Sequence, residues 1–144
     1  MDTKFSIAIH CLIMIAESDT PLTSAMLASS VGTNPSFVRR IIGCLKQGGI
    51  IESHQGVGGF ALLVDPKELS LLRIYRAVEE KEEVHVFDVH ENPNDLCIVG
   101  RHIRPVLLDA FREIEQTAEK ELSHKSLQDC MDQMREKIDK KQIQ

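Results

Sequence analysis

Aromatic residues are scarce in this chain, which has no tryptophan, one tyrosine and five phenylalanines among 144 residues. Its core must therefore be mainly aliphatic. Basic residues are not in excess either, because the net charge is −5, and this excludes a generally basic protein that coats nucleic acid. The composition is otherwise that of an ordinary globular protein, and the length predicts one domain with room for an appendage.

Long hydrophobic runs are also lacking, since a bilayer span takes about 20 apolar residues. The apolar stretch from Ser6 to Ala16 differs from a secretory signal, because Asp2 offsets the charge of Lys4 and His10 interrupts the run. We therefore expect a cytoplasmic protein with no membrane partner. We expect His10 to lie in the core.

The four cysteines, at positions 11, 44, 97 and 130, form no C-x-x-C pair and no tight cluster. This spacing argues against a disulfide scaffold and against a zinc ribbon, and it fits a reducing cytosol. Cys11, Cys44 and Cys130 lie on or beside apolar stripes and are expected to pack. Cys97 falls at the edge of a loop, where we expect it to be exposed.

Three short helices are predicted in the N-terminal part of the chain. The first, up to Ala16, is apolar on two sides and so must be buried on two sides. The second runs from Ser24 to Val31 after the N-cap Thr23, and the third from Pro35 to about Gln47 after a turn at Gly32. Two short helices joined by a tight glycine turn are typical of a helix-turn-helix.

A β-hairpin is predicted directly after the third helix. Two strand-like runs, Ile50 to Ser53 and Phe60 to Leu63, flank the glycine-rich residues 55–59. A hairpin in this place makes a winged helix. The glycines resemble a phosphate-binding loop, but they lead into a strand, whereas such a loop leads into a helix. No other catalytic motif in the sequence lies on the structural elements that it requires. We therefore predict that the protein is not an enzyme.

The C-terminal part is predicted to be helical apart from one segment. Ser70 can cap a short helix that ends near Val78, and residues 84–89 alternate like a strand or an extended segment. A long helix follows, with Pro105 in its first turn or at a kink, and then a last helix capped by Ser126. The long helix has a narrow apolar stripe suited to helix-on-helix packing, formed by Ile103, Leu107, Ala110, Ile114, Ala118 and Leu122.

The charge distribution points to DNA. Residues 1–64 hold four basic and four acidic side chains, and the remainder holds 13 basic and 18 acidic. Three of the first four cations, Arg39, Arg40 and Lys46, lie on the third helix, as in a DNA-binding face opposite an acidic body. Two alternatives remain open, in which the arginines are only a solvated helix face or the winged helix contacts proteins without DNA.

The polar residues at the start of the third helix suit base and phosphate contacts. Recognition helices place short polar and cationic side chains near their N-terminus, and arginine can read guanine. The predicted DNA-binding residues on helices, turn and wing are Thr23, Thr33, Asn34, Ser36, Arg39, Arg40, Lys46, Gln55, Gly56 and Gly58.

Several segments together resemble one known family. The segments SFVRRI (36–41), GVGGF (56–60) and LSLLRIYRAVEE (69–80) are similar to those of the IscR, NsrR and CymR group, the Rrf2 family of dimeric bacterial winged-helix transcription regulators. The resemblance covers nearly the whole chain. It implies that Ser36 and Arg39 match positions that contact bases, whereas Gln55 stands where relatives often carry a wing arginine for the minor groove.

The resemblance also implies an architecture and an activity. The fold class is mainly α with a small β-hairpin wing, in which residues 1–66 form the winged helix-turn-helix. Residues 67–144 form a connecting helix, a variable loop and the dimerisation helices, with the stripe from Ile103 to Leu122 as the interface. The expected function is that of a homodimeric regulator, a repressor, that reads a palindromic operator in double-stranded DNA.

Cluster-binding members of this group carry three cysteines between the short helix and the dimerisation helix, and these thiolates hold an iron–sulfur cluster. Only Cys97 lies there in this sequence, which predicts a member without a cluster or other cofactor, similar to the YwnA-like branch. His85, His90, Cys97 and His102 are close in sequence, so a metal- or thiol-responsive regulator is an alternative, with solvated loop histidines as the default. The effector is unassigned.

Overall fold

The computed structural model describes residues 2–54 and 58–143, without the side chains of residues 142 and 143. Within them the chain forms six helices and one antiparallel pair of strands, which confirms the predicted class. No helix in this part of the chain is long and apolar enough to cross a membrane. The elements are α1 (Lys4–Glu17), α2 (Ser24–Val31), α3 (Pro35–Gln47), β1 (Ile51–Ser53), β2 (Phe60–Leu62), α4 (Leu71–Glu79), α5 (Ile98–His124) and α6 (Leu127–Ile143).

Helix α1 lies at the centre of the molecule and packs against α2, α3, α4, α6 and β2. Its two apolar sides are both covered by its own chain, and Ala8, Cys11 and Leu12 are completely buried. The prediction of two-sided burial is confirmed. The prediction for His10 is wrong, because its ring is exposed and its Nε2 atom lies 2.9 Å from the Ser30 Oγ atom on α2.

The helix-turn-helix has the predicted caps. The Thr23 hydroxyl accepts a hydrogen bond of 3.1 Å from the Met26 N–H at the start of α2. Gly32 ends α2 with a φ of 84°, in the left-handed region where glycine carries no steric penalty. The side-chain Oδ1 atom of Asn34 then accepts a hydrogen bond of 2.8 Å from the Phe37 N–H, so these local residues fix where α3 begins.

The hairpin pairs Ile51 with Leu62 and Ser53 with Phe60. The tip of the wing at residues 55–57, which includes the predicted contacts Gln55 and Gly56, lies outside the described residues. At the base of the wing, Gly59 has a φ of 82°, and a Cβ atom there would stand 2.9 Å from the Cα and Cβ atoms of Pro21. The wing therefore packs against the turn between α1 and α2.

A Gly59→Ala substitution is expected to lower the free energy of unfolding by more than Gly58→Ala does. Both glycines have positive φ, and at Gly58 an added Cβ meets nothing within 4 Å. Gly58→Ala should therefore cost only the left-handed backbone penalty of about 1–2 kcal/mol, whereas Gly59→Ala adds an overpacked contact of about 1 kcal/mol or more. Urea unfolding of the two variants measures the difference, and equal losses would contradict the close approach to Pro21.

The C-terminal helices return to this core. Ser70 caps α4 by accepting a hydrogen bond of 3.1 Å from the Arg73 N–H, and Ser126 caps α6 with a hydrogen bond of the same length from the Asp129 N–H. The Leu127 N–H donates to the Leu69 carbonyl oxygen at 2.8 Å, and the Leu127 side chain is completely buried. Both predicted caps are confirmed, and the division at residue 66 stays a prediction.

Helix α5 decides between the two positions predicted for Pro105. It begins at Ile98, so Pro105 is its eighth residue and lies inside the helix rather than in the first turn. A proline can occupy such a position at the cost of one backbone hydrogen bond. Residues 84–89, predicted as a strand or an extended segment, form no strand, and side chains of α4 and α5 hold the backbone of residues 84–87.

Candidate nucleic-acid interface

Helix α3 presents two different faces. Its apolar stripe, formed by Val38, Ile41, Ile42 and Leu45, is buried. The opposite face is polar, and its predicted DNA-contacting residues Ser36, Arg39, Arg40 and Lys46 are all exposed. The buried stripe therefore fixes the helix on the core and leaves this polar face open to a ligand.

The cations of this face lie in the first half of α3, at Arg39 and Arg40, and near its end, at Lys46. The Arg39 guanidinium donates a hydrogen bond of 3.2 Å to the Ser36 hydroxyl one turn earlier, which brings the two predicted base-contacting side chains together. Among the described residues, no carboxylate lies within 4.0 Å of Arg39 or Arg40. Lys46 lies at the other end of α3, with its Nζ atom 5.8 Å from the centre of the Phe60 ring on β2. The positive charge is thus available to phosphates or bases.

The other predicted contacts surround α3. Thr23, Asn34 and Gly58 are exposed, and Thr33 is half-buried. Because the side chains of Thr23 and Asn34 each accept a backbone hydrogen bond, they are fixed at the two helix starts. The sequence had indicated Thr23 as a cap and both residues as DNA contacts, and the two roles are compatible.

The predicted dimerisation stripe of α5 is divided by the fold. Ala118 and Leu122 pack against the buried cluster of Leu72, Tyr75 and Val84 in the same chain. Ile103 and Leu107 are half-buried, and Ala110 and Ile114 are exposed. Four further apolar side chains, which the predicted stripe did not include, are exposed in the N-terminal half of α5: Ile98, Val99, Val106 and Leu108.

The structure does not assemble the candidate metal ligands into a site. The His85 Nε2 atom lies 2.6 Å from Asp88 Oδ1, the His102 Nδ1 atom lies 2.8 Å from the Ile98 carbonyl oxygen of its own helix, and His90 is exposed. Across residues 2–54 and 58–143, no three His, Cys, Asp or Glu side chains are grouped so that they could hold a metal ion.

The four thiols have different environments. Cys11 is completely buried, and burial raises its pKa to about 11. Cys44 and Cys130 are half-buried, and burial is the main cause that raises the pKa of each. Cys97 is exposed at the start of α5, where the backbone N–H groups of Gly100 and Val99 lower its pKa. The predicted exposure of Cys97 and packing of the other three are confirmed.

Cys97 is therefore expected to react first with iodoacetamide. Thiolates are the reactive species, and exposure together with a lowered pKa favours them at neutral pH. Peptide mass spectrometry of native protein at pH 7.5 should find the first label on Cys97, and Cys97→Ser should remove this fast phase. A first label on Cys44 or Cys130 would contradict the expected order.

Comparison with known proteins identifies the chain. The family model of Rrf2, described as an iron-dependent transcriptional regulator, matches residues 1–133. The protein belongs to the Rrf2 family. The HTH-type transcriptional regulator YwnA of Bacillus subtilis (strain 168) is 42% identical over 134 residues, which cover 93% of this chain and 98% of that protein.

Solved structures agree in fold. A crystal structure described as a DNA binding protein is 38% identical, covers 89% of this chain and 98% of its own, and has a TM-score of 0.69. CymR of B. subtilis, at 18% identity and a TM-score of 0.66, covers 90% of this chain and 94% of its own, and it shows the fold alone. Membership of the family makes this Rrf2 protein a DNA-binding transcription regulator and not an enzyme.

The family description names iron, but the donor set of this chain does not fit an iron site. An iron–sulfur cluster needs about four ligands, chiefly cysteine thiolates, and only Cys97 lies between α4 and α5. The nearby histidines engage an aspartate side chain or a backbone carbonyl instead of converging on Cys97.

Proposed function

We propose that this Rrf2 protein is a homodimeric repressor that places α3 of each subunit in the major groove of a palindromic operator. The observation that carries the proposal is the exposed face of α3, on which the Arg39 guanidinium lies 3.2 Å from the Ser36 hydroxyl. Arginine can donate two hydrogen bonds to guanine, and short hydroxyls contact bases or phosphates. Arg40 and Lys46 would then bind phosphates.

The proposed dimer rests on the exposed apolar face of α5. Ile98, Val99, Val106 and Ile114 are each more than half exposed in the single chain. Exposed apolar side chains gathered on one helix are characteristic of interfaces, and paired helices bury apolar stripes against each other. Two winged helices related by a two-fold axis would contact the two half-sites of an inverted repeat. A dimer bound to a promoter would then prevent other proteins from binding there.

Selection from a pool of random duplexes tests this function. We expect enrichment of an inverted repeat whose half-sites are about 34–36 Å apart, or a multiple of that distance. Affinity should fall steeply with salt, because phosphate contacts release counterions. It should be the same with a chelator and with added ferrous iron. Failure to enrich any inverted repeat at modest salt would favour a protein-interaction module instead.

A further inference from the structure

The segment that connects α4 to α5 is held by its backbone. Residues 84–88, named the strap here, run across α5, where Glu119 accepts a hydrogen bond of 2.8 Å from the Val84 N–H. Glu115, one turn earlier, accepts hydrogen bonds from the N–H groups of Val86 and Phe87 at 2.6 and 3.2 Å. The strap is thus fixed to α5 by two carboxylates.

Glu115 is unusual because it is buried. It is the one charged residue of the described chain in the buried class, with 5% of its surface exposed. A buried carboxylate is costly unless hydrogen bonds satisfy it, and here two backbone N–H groups do so with charge-assisted bonds. The His85 Nδ1 atom lies 3.8 Å from the same carboxylate. Such a group is expected to hold the strap in one arrangement.

Arg112 completes the attachment to α5. Its guanidinium donates to the Val84 carbonyl oxygen at 3.3 Å and to Glu119 at 3.1 Å. The Val84 N–H, and after it Arg112, favour the ionised form of Glu119 and lower its pKa. Arg112, Glu115 and Glu119 follow each other at helical spacing, so one face of α5 contacts the strap.

The strap is attached to α4 as well as to α5. The Tyr75 hydroxyl accepts a hydrogen bond of 3.0 Å from the His85 N–H and donates to the His85 carbonyl oxygen at 3.3 Å. Helix α4 packs against α1 and α3, and the Arg73 guanidinium on α4 donates to the Gly48 carbonyl oxygen at the end of α3 at 3.4 Å. The strap therefore connects α4, which packs on the winged helix, to α5, the helix of the proposed dimer interface.

We propose that Glu115 is a positioning residue for operator binding, which fixes α5 relative to the winged helix by holding the strap. This inference rests on the proposed function, because in a dimer joined through α5 the angle between α5 and α4 sets the separation of the two α3 helices. The attachment consists of hydrogen bonds between side chains of α4 and α5 and the backbone of the strap. Glu115 itself contacts no DNA in this arrangement.

The test compares Glu115→Gln with Glu121→Gln, which makes the same charge change at an exposed position of the same helix. Each variant is titrated with the selected operator, with operators whose half-sites are one base pair closer or farther apart, and with an isolated half-site. Glu115→Gln should weaken binding to the operator about tenfold and reduce its preference over the altered spacings. Affinity for the half-site and the dimer mass should stay unchanged.

Equal losses on operator and half-site, or an unchanged spacing preference, would overturn the positioning role. Hydrogen exchange gives a second measurement that does not depend on DNA. Because a glutamine oxygen is a neutral and weaker acceptor than a carboxylate, the Val86 and Phe87 amides should lose part of their protection in Glu115→Gln and keep it in Glu121→Gln. If Glu115→Gln does not fold, Glu119→Ala removes the neighbouring acceptor and should change the spacing preference in the same direction. If the wild type binds no inverted repeat, the proposed function fails, while the exchange result still shows whether Glu115 holds the strap.

Discussion

An Ile114→Glu variant is expected to sediment as a single subunit of 16.2 kDa and to lose nearly all affinity for the palindromic operator. Ile114 is 53% exposed in the chain by itself, so a glutamate there is tolerated by the subunit. In the proposed dimer the same carboxylate would be buried against apolar side chains, without a partner for its charge. Analytical ultracentrifugation at micromolar concentration measures the mass.

The loss of operator binding follows because a single subunit has only one winged helix and contacts only one half-site. Once one α3 is bound, a joined partner binds its half-site at a high effective concentration, a gain of about 10² to 10⁴-fold. Ile114→Glu should forfeit that gain and leave binding to a half-site unchanged. Ile138→Glu is the matched control, since Ile138 on α6 is 43% exposed and lies outside the proposed interface. A dimeric Ile114→Glu protein would contradict this interface.

Arg39→Ala is expected to weaken operator binding by roughly 1–3 kcal/mol, which is about 5- to 150-fold, and to relax the choice of base at one position of each half-site. The guanidinium lies beside Ser36 at the start of α3, where a recognition helix reaches base edges. Binding to a set of operators with every single-base change measures both effects. A uniform loss on all sequences would instead make Arg39 a phosphate contact.

Arg135→Ala serves as the control for charge. Arg135 is exposed on α6 and forms an ion pair of 3.7 Å with Glu17, an interaction worth at most about 1 kcal/mol at a surface. Its removal lowers the positive charge by the same amount as Arg39→Ala. We expect wild-type specificity and near wild-type affinity for this variant, whereas a similar loss in both would indicate that net charge, not position, governs binding.

The winged helix could be predicted because short-range signals specify it. Thr23 caps the helix on which it was expected, and Gly32 takes the left-handed conformation at the end of that helix. The exposure of Arg39 also followed from the sequence, because the apolar stripe of α3 leaves one face for solvent. Caps and helical periodicity act within a few residues, so one chain segment is enough to recognise them.

The attachment of the strap was missed because its partners are far apart in sequence. Glu115 contacts N–H groups 28 and 29 residues earlier, and no local pattern marks those groups. Its spacing from Arg112 and Glu119 is that of an ordinary solvated helix face, so the sequence did not reveal which carboxylate is buried. The sequence also left open whether Pro105 lies in the first turn of α5 or farther inside the helix, and the structure places it inside.

The sequence by itself determined the helix-turn-helix, the hairpin and the resemblance to the Rrf2 family, because each depends on side chains that act within one or two turns. Only the tertiary structure decided which apolar residues of α5 remain exposed, since Ala118 and Leu122 pack on α4 while Val106 and Ile114 do not. It also decided which carboxylates hold the strap. Burial and backbone hydrogen bonding depend on the segments that meet in space, and periodicity along one helix cannot specify its neighbours.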